Sequence, residues 1–212
     1  DGLRLYREAL EQFPGFSECR HNFALALIDA GQPEEAEREL RLLLRDQPSY
    51  FQAAFCLANL LRDTKREREA VEAFRLCLQY APAYAEAGLL DTLTPQETVI
   101  ALQGQINCLM ELDRYKEGLD LADAQPEHRL RLMARLHVVP VLYESAQQLD
   151  QVRSRWFDDV QELYGLLDGL TIDDCCWDML YAHAWALTNF YLAYQMSDDR
   201  PFQEVYAGVL DR

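Results

Sequence analysis

Apolar residues recur along this chain at i, i+3, i+4 and i+7 and show no strand-like alternation, so the pattern predicts helices throughout. The clearest stretch is 51–84, FQAAFCLANLLRDTKREREAVEAFRLCLQYAPAY, which reads as two short amphipathic helices in 34 residues. The stretch before it, 17–50, has the same layout. Ala24, Ala36, Leu40 and Pro48 precede Ala58, Ala70, Phe74 and Pro82 by 34 positions each, and Pro14 lies one further period upstream. The small residues let paired helices cross closely. Proline cannot donate the next helical hydrogen bond, so one is expected to end each unit. Gly31 is expected at the turn of the first unit, where a backbone without a Cβ bends at little cost. In the second unit Thr64 stands three residues before Glu67, a capping-box spacing.

The same reading extends in both directions. Residues 3–13 form a second helix without its first, and 85–93 shift the register by 14 positions. Thr94-Pro95-Gln96-Glu97 then reads as a helix start, with threonine as N-cap and proline at the first helical position. It opens a degenerate third unit, 99 to about 126, with Asp113 at the turn and Gly118 and Ala122 at the small positions. A further helix follows at 127–137. From Val138-Val139-Pro140 the character changes: all three tryptophans and 12 of the 23 aromatic residues lie beyond it. There 145–167 reads as a long helix capped by Ser145 with Gln148, and Gly165 and Gly169 surround its end. Residues 173–195 read as a helix apolar all round, which needs neighbours on several sides, and 201–210 as another. The expected fold is all-α: a helical solenoid over 1–137 running into a helical bundle over 138–212.

Length and composition fit a folded protein, since 212 residues at 50% hydrophobic can build a substantial core. The formal charge of −16 repels phosphate backbones and anionic lipid, so no nucleic-acid or membrane partner is expected. No apolar run approaches the roughly 18–20 residues of a membrane span. The six cysteines, Cys19, Cys56, Cys77, Cys108, Cys175 and Cys176, form no CxxC pair. At such helix positions they read as buried reduced thiols, and the expected compartment is the cytoplasm. The chain starts with Asp1-Gly2, inside what reads as a second helix, and is expected to be part of a longer protein.

A period in the thirties with these small residues and prolines resembles the tetratricopeptide repeat. The tail carries a narrower resemblance. VPVLYESAQQLDQVRSRWFDDV and, after a gap, TNFYLAYQMSDDRPFQEVY are similar to the region joining repeats to catalytic domain in bacterial Spindly-type protein O-linked N-acetylglucosamine transferases. The match rests on Pro140, Tyr143, Arg153, Arg155 and Phe157, then on Asn189 to Gln195, Asp199 and Gln203. Met196 stands where that family often has glycine. The resemblance implies that the repeats hold an acceptor protein while an α/β domain beyond Arg212 binds the nucleotide sugar and performs transfer. None of that domain's catalytic residues has a counterpart in this chain.

In the repeat superfamily the first helix of each repeat lines a concave groove. By register the groove positions are Glu18, His21, Asn22, Leu25 and Asp29, then Gln52, Phe55, Asn59 and Arg62, then Gln103, Asn107 and Met110. Asparagine amides donate and accept at once and so can grip a peptide backbone whatever its side chains. The family implies an asparagine ladder at the position of Asn22, but Cys56 and Gly104 occupy the equivalent sites. Asn59 and Asn107 are equally readable as polar surface. Tyr191 and Tyr194 are expected at the junction with a following domain.

Candidate chemistry inside the chain is sparse. His21, His128, His137 and His183 have no zinc-type spacing, and they read as packed or surface histidines. Cys175-Cys176 point about 100° apart on a helix and read as separate packing thiols. Asp158-Asp159 and Asp173-Asp174 read as solvated or dipole-facing acids rather than paired catalytic carboxylates. Neither cofactor, metal nor catalytic residue is expected here. The chain is expected to be the repeat-plus-linker part of a Spindly-like glycosyltransferase that recruits acceptors, with a freestanding scaffold or an enzyme complete within these residues as the alternatives.

Overall fold

The structure, a computed structural model, describes residues 2–86, 95–126, 128–140 and 143–167. Among these residues every regular element is helical: α1 (Gly2–Gln12), α2 (Ser17–Asp29), α3 (Pro33–Asp46), α4 (Phe51–Asp63), α5 (Glu67–Glu86), α6 (Pro95–Glu111), α7 (Tyr115–Asp123), α8 (His128–Leu136) and α9 (Ala146–Leu167). The all-α expectation therefore holds over the described residues. The helices expected at 173–195 and 201–210 lie outside them. Two compact units are formed, Asp1–Cys108 and Leu109–Arg212, and the division falls inside α6.

In the first unit consecutive helices pack on one another from α1 to α5. The four expected small residues, Ala24, Ala36, Ala58 and Ala70, are all 0% exposed, so helices do close at those points. Phe23, Leu27 and Ala36 form a buried cluster with Leu3, Tyr6, Leu10, Ile28 and Leu60 against it. The α2–α3 turn is made by Gly31 at φ 70°, whose N–H donates to Ile28 O while Gln32 N–H donates to Leu27 O. The α4–α5 turn repeats this 34 residues later: Lys65 at φ 59° donates to Arg62 O, and Arg66 donates to Leu61 O. Each is a left-handed helix stop that satisfies the last carbonyls.

Two local expectations fail. Thr64 does not cap α5; its hydroxyl donates back toward Leu60 O at 2.9 Å and Leu61 O at 3.1 Å. The left-handed Lys65 reverses the chain immediately after it, which ties Thr64 to the end of α4. Pro82 does not end its unit either, because α5 continues to Glu86. A proline forfeits one helical hydrogen bond, and Ala81, Ala83 and Ala85 beside it are strong helix formers. Pro14 and Pro48 behave as expected, each following the end of a helix.

Ion pairs follow the same period. Arg7 meets Glu35 at 2.9 Å, and 34 residues on Arg41 meets Glu69 at 2.6 Å. Glu37 extends the second pair through Arg41 at 2.8 Å and Arg66 at 2.7 Å. The α6 helix begins at Pro95, as its sequence indicates. It meets α5 where the Phe74 ring lies against Gly104, so closely that a Cβ on Gly104 would collide with the ring.

In the second unit the turn recurs once more. Asp113 at φ 59° donates to Met110 O, and Arg114 donates to Leu109 O. Its distance from Lys65 is 48 residues, one period plus the 14-residue register shift. Gly118 and Ala122 are buried in α7 as expected, and the methyl of Met110 fills the space a Cβ on Gly118 would need. Next, α8 packs on α7 and α9 on α8. Ser145 caps α9 by accepting from Gln148 N–H at 3.1 Å, while Gln148 Oε1 accepts from Glu144 N–H at 2.6 Å. Val152, Trp156, Val160 and Leu163 are the buried face of α9.

Candidate functional site

The first helices of the two repeats lie side by side. Leu60 of α4 packs on the α2 cluster, and Cys56 Sγ of α4 stands 3.5 Å from His21 Nε2 of α2. His21 is half-buried against Tyr50, their ring centroids 5.4 Å apart. On the same helix Glu18, Asn22 and Asp29 are exposed, and Leu25 is an exposed apolar residue at 37%. On α4, Gln52, Phe55, Asn59 and Arg62 are half-buried. Phe55 meets Phe74 edge-on with centroids 6.4 Å apart, and the Arg62 guanidinium lies 6.0 Å from the Phe74 ring centre. Asn59 uses one amide N–H on Phe55 O at 3.0 Å, leaving its second N–H and its oxygen available. This face therefore combines polar amides, one aliphatic side chain and an aromatic shelf.

On α6, Gln103 is half-buried and Asn107 exposed. Met110 is not a surface position: it is 6% exposed, because it fills the space over Gly118. Gly104 has no side chain to offer and serves to admit Phe74. Tyr191 and Tyr194 lie outside the described residues.

Burial of the thiols follows expectation at Cys19, Cys77 and Cys108 but not at Cys56, which is partly exposed. Cys56 sits on the α2-facing side of α4, one residue beyond Phe55, and its neighbour there is a polar imidazole instead of a hydrocarbon wall. Cys175 and Cys176 lie outside the described residues.

Of the acidic pairs, Asp158 is exposed as expected, but Asp159 is 4% exposed. It projects from the middle of α9 toward Arg135 of α8, whose Nε stands 3.1 Å away, with Arg155 Nε at 3.7 Å. Adjacent helical residues diverge by about 100°, which separates the two aspartates. Burial pushes the Asp159 carboxyl up to about 6, and the two guanidinium groups pull it back only in part. Burial also lowers Arg155, which still stays protonated at neutral pH. Arg155 further donates to the Tyr115 hydroxyl at 2.7 Å and to Val138 O. One cluster thus ties α7, α8 and α9 together. An open cleft of about 560 Å³ beside it is lined by Arg135, Asp150, Ser154, Arg155, Asp158 and Asp159. With both arginines committed to this framework, the cluster reads as structural. The signal was in the sequence: Asp159 falls on the stripe of Val152, Trp156, Val160 and Leu163.

His128 pairs with Glu162 at 2.9 Å, and His137 is buried; His183 lies outside the described residues. Among the described residues no group of three or more His, Cys, Asp or Glu side chains could hold a metal ion. Likewise none of their helices is long and apolar enough to cross a membrane.

Residues 1–60 match the tetratricopeptide repeat family model. That match covers α1, α2, α3 and most of α4, including the side-by-side α2–α4 contact. The α4–α5 turn, with the same hydrogen bonds as the α2–α3 turn, carries the pattern past its end. No curated protein matches the chain.

Proposed function

We propose that this chain is a protein-binding repeat module whose α2–α4 face, extended by Gln103 and Asn107 of α6, holds an extended segment of a partner protein. The observation that carries the reading is the contact of α4 with α2 at Cys56–His21 and at Leu60; by register, His21, Asn22, Leu25 and Asp29 of α2 would then share a face with Phe55, Asn59 and Arg62 of α4. Amides there can satisfy a peptide backbone, Leu25 and Phe55 can cover its apolar side chains, and the charged rim sets its charge. In the finer form of the proposal, the repeats stack as a solenoid leading into a helical bundle. The chain then recruits acceptors for a Spindly-like protein O-GlcNAc transferase of the bacterial cytoplasm, with the catalytic domain following. The sequence of the 140–203 stretch supports that form. A freestanding scaffold is the alternative.

The module reading is tested by selecting peptides from a random displayed library on the 212-residue chain. Changing Asn22, Asn59 and Asn107 together to alanine should weaken selected peptides of unrelated sequence alike. Each hydrogen bond contributes roughly 0.5–1.5 kcal/mol net, so the loss of three should be about tenfold or more. Unchanged affinity in a variant that stays helical would show these amides to be ordinary surface. The transferase form is tested separately by the reading frame past Arg212. An α/β pattern with phosphate-binding turns supports it, and a stop codon leaves the scaffold.

A further inference from the structure

Cys56 of α4 and His21 of α2 form a thiol–imidazole pair between two helices. The other described cysteines are buried, whereas Cys56 is partly exposed with Sγ 3.5 Å from His21 Nε2. The imidazole is itself positioned, since it lies on the Tyr50 ring. A nucleophile within reach of a base that a third group orients is the arrangement that activates thiols elsewhere. Proton transfer from Sγ to Nε2 leaves a thiolate beside an imidazolium, and the thiolate is the reactive form of cysteine. Of the charged residues on these two helices, Glu18 lies three residues before His21, and Arg62 is paired with Asp63 at 3.5 Å and lies over the Phe74 ring. Arg20 is engaged elsewhere, by Glu39 at 2.5 Å and Pro14 O at 2.8 Å.

We propose that Cys56 is a peroxide-sensitive modification site, with His21 as the base that activates its thiol. Its sulfur attacks one oxygen of hydrogen peroxide; an S–O bond forms and the O–O bond breaks. The leaving hydroxide takes the proton from His21 Nε2, giving cysteine sulfenic acid and water. Sulfur loses two electrons and the peroxide gains them. The product is reversible, because a small thiol can condense with it to a disulfide.

The test treats the reduced 212-residue chain with limiting iodoacetamide and reads each cysteine by peptide mass spectrometry. Cys56 should react at least about tenfold faster at pH 7 than Cys19, Cys77 and Cys108. His21→Gln and His21→Phe, the second keeping a ring on Tyr50, should each slow Cys56 about tenfold at pH 7. Neither should slow it at pH 10, where every accessible thiol is ionised. Hydrogen peroxide followed by dimedone should label Cys56 in the parent chain and far less in either variant. An unchanged rate at pH 7 in both variants overturns the proposal. So does an equal slowing at both pH values, which would mark a change of access, or a parent chain that dimedone leaves unlabelled at Cys56.

Discussion

At the scale of single residues, the structure separates positions where backbone geometry rules from those where packing rules. Gly31, Lys65 and Asp113 all adopt left-handed backbone at the same place in their turns, yet only the first is a glycine. A side chain in that conformation costs roughly 1–2 kcal/mol, part of which glycine returns through its greater freedom when unfolded. Lys65→Gly should therefore stabilise the chain by about 0.5–1 kcal/mol in urea unfolding, and Gly31→Ala should destabilise it by a similar amount. Gly104 is the opposite case. Its φ is unexceptional, but the Phe74 ring occupies the space of a Cβ. Gly104→Ala should cost about 1–3 kcal/mol, as overpacking does, and Phe74→Leu in the same chain should recover part of it.

At the scale of elements, charge pairing between helices differs in kind between the two units. In the first unit the Arg7–Glu35 and Arg41–Glu69 pairs are exposed and worth roughly 0–1 kcal/mol each. Hydrogen bonds from Arg66 and Arg41 hold Glu69 below its ordinary value, and at Glu37 the same two arginines outweigh a burial effect that raises it. Their stabilisation is present at neutral pH and is lost as acid protonates them. In the second unit Asp159 has the opposite sign. Its folded value, about 6, lies above its ordinary 3.8, so the folded chain holds the proton more tightly than the unfolded one. Stability from this group is therefore complete below about 3.8 and lost as pH rises through about 6. Between pH 7.5 and 5 the stability of the α7–α9 region should rise by roughly 1.4 kcal/mol. Asp159→Asn should flatten that dependence; a slope that survives it would assign the effect to other groups.

For the whole molecule, the net charge of −16 sets what can approach it. A uridine-diphosphate sugar is a poor ligand for such a surface, and the sequence has no glycine-rich phosphate loop. Calorimetric titration of the 212-residue chain with UDP-GlcNAc should show no binding; micromolar affinity would place the sugar site within these residues. Peptide partners carrying net positive charge should associate fastest, and their on-rates should fall as salt rises from 50 to 500 mM, on the scale at which screening shortens.

Over the described residues the sequence by itself determined that the chain is helical and that the 17–50 layout recurs at 51–84, because these depend on patterns that neighbouring residues carry. The 34-residue shift aligned Ala24 with Ala58 and Ala36 with Ala70, and all four are fully buried. It also contained, unread, the alignment of Arg7 with Arg41 and of Glu35 with Glu69. Of the groove positions, the register placed Asn22, Leu25, Asp29 and Asn107 on the exposed surface and misplaced Met110. Only the tertiary structure decided the rest. Thr64 turned back to α4 because the chain reverses at Lys65, and Asp159 went inward because two guanidinium groups from α8 and α9 converge there. Cys56 met His21 because α4 lies along α2, a contact between residues 35 apart that neither helix's own periodicity contains. Periodicity specifies which face of a helix is apolar; which polar groups then meet across two such faces is fixed only when the helices pack.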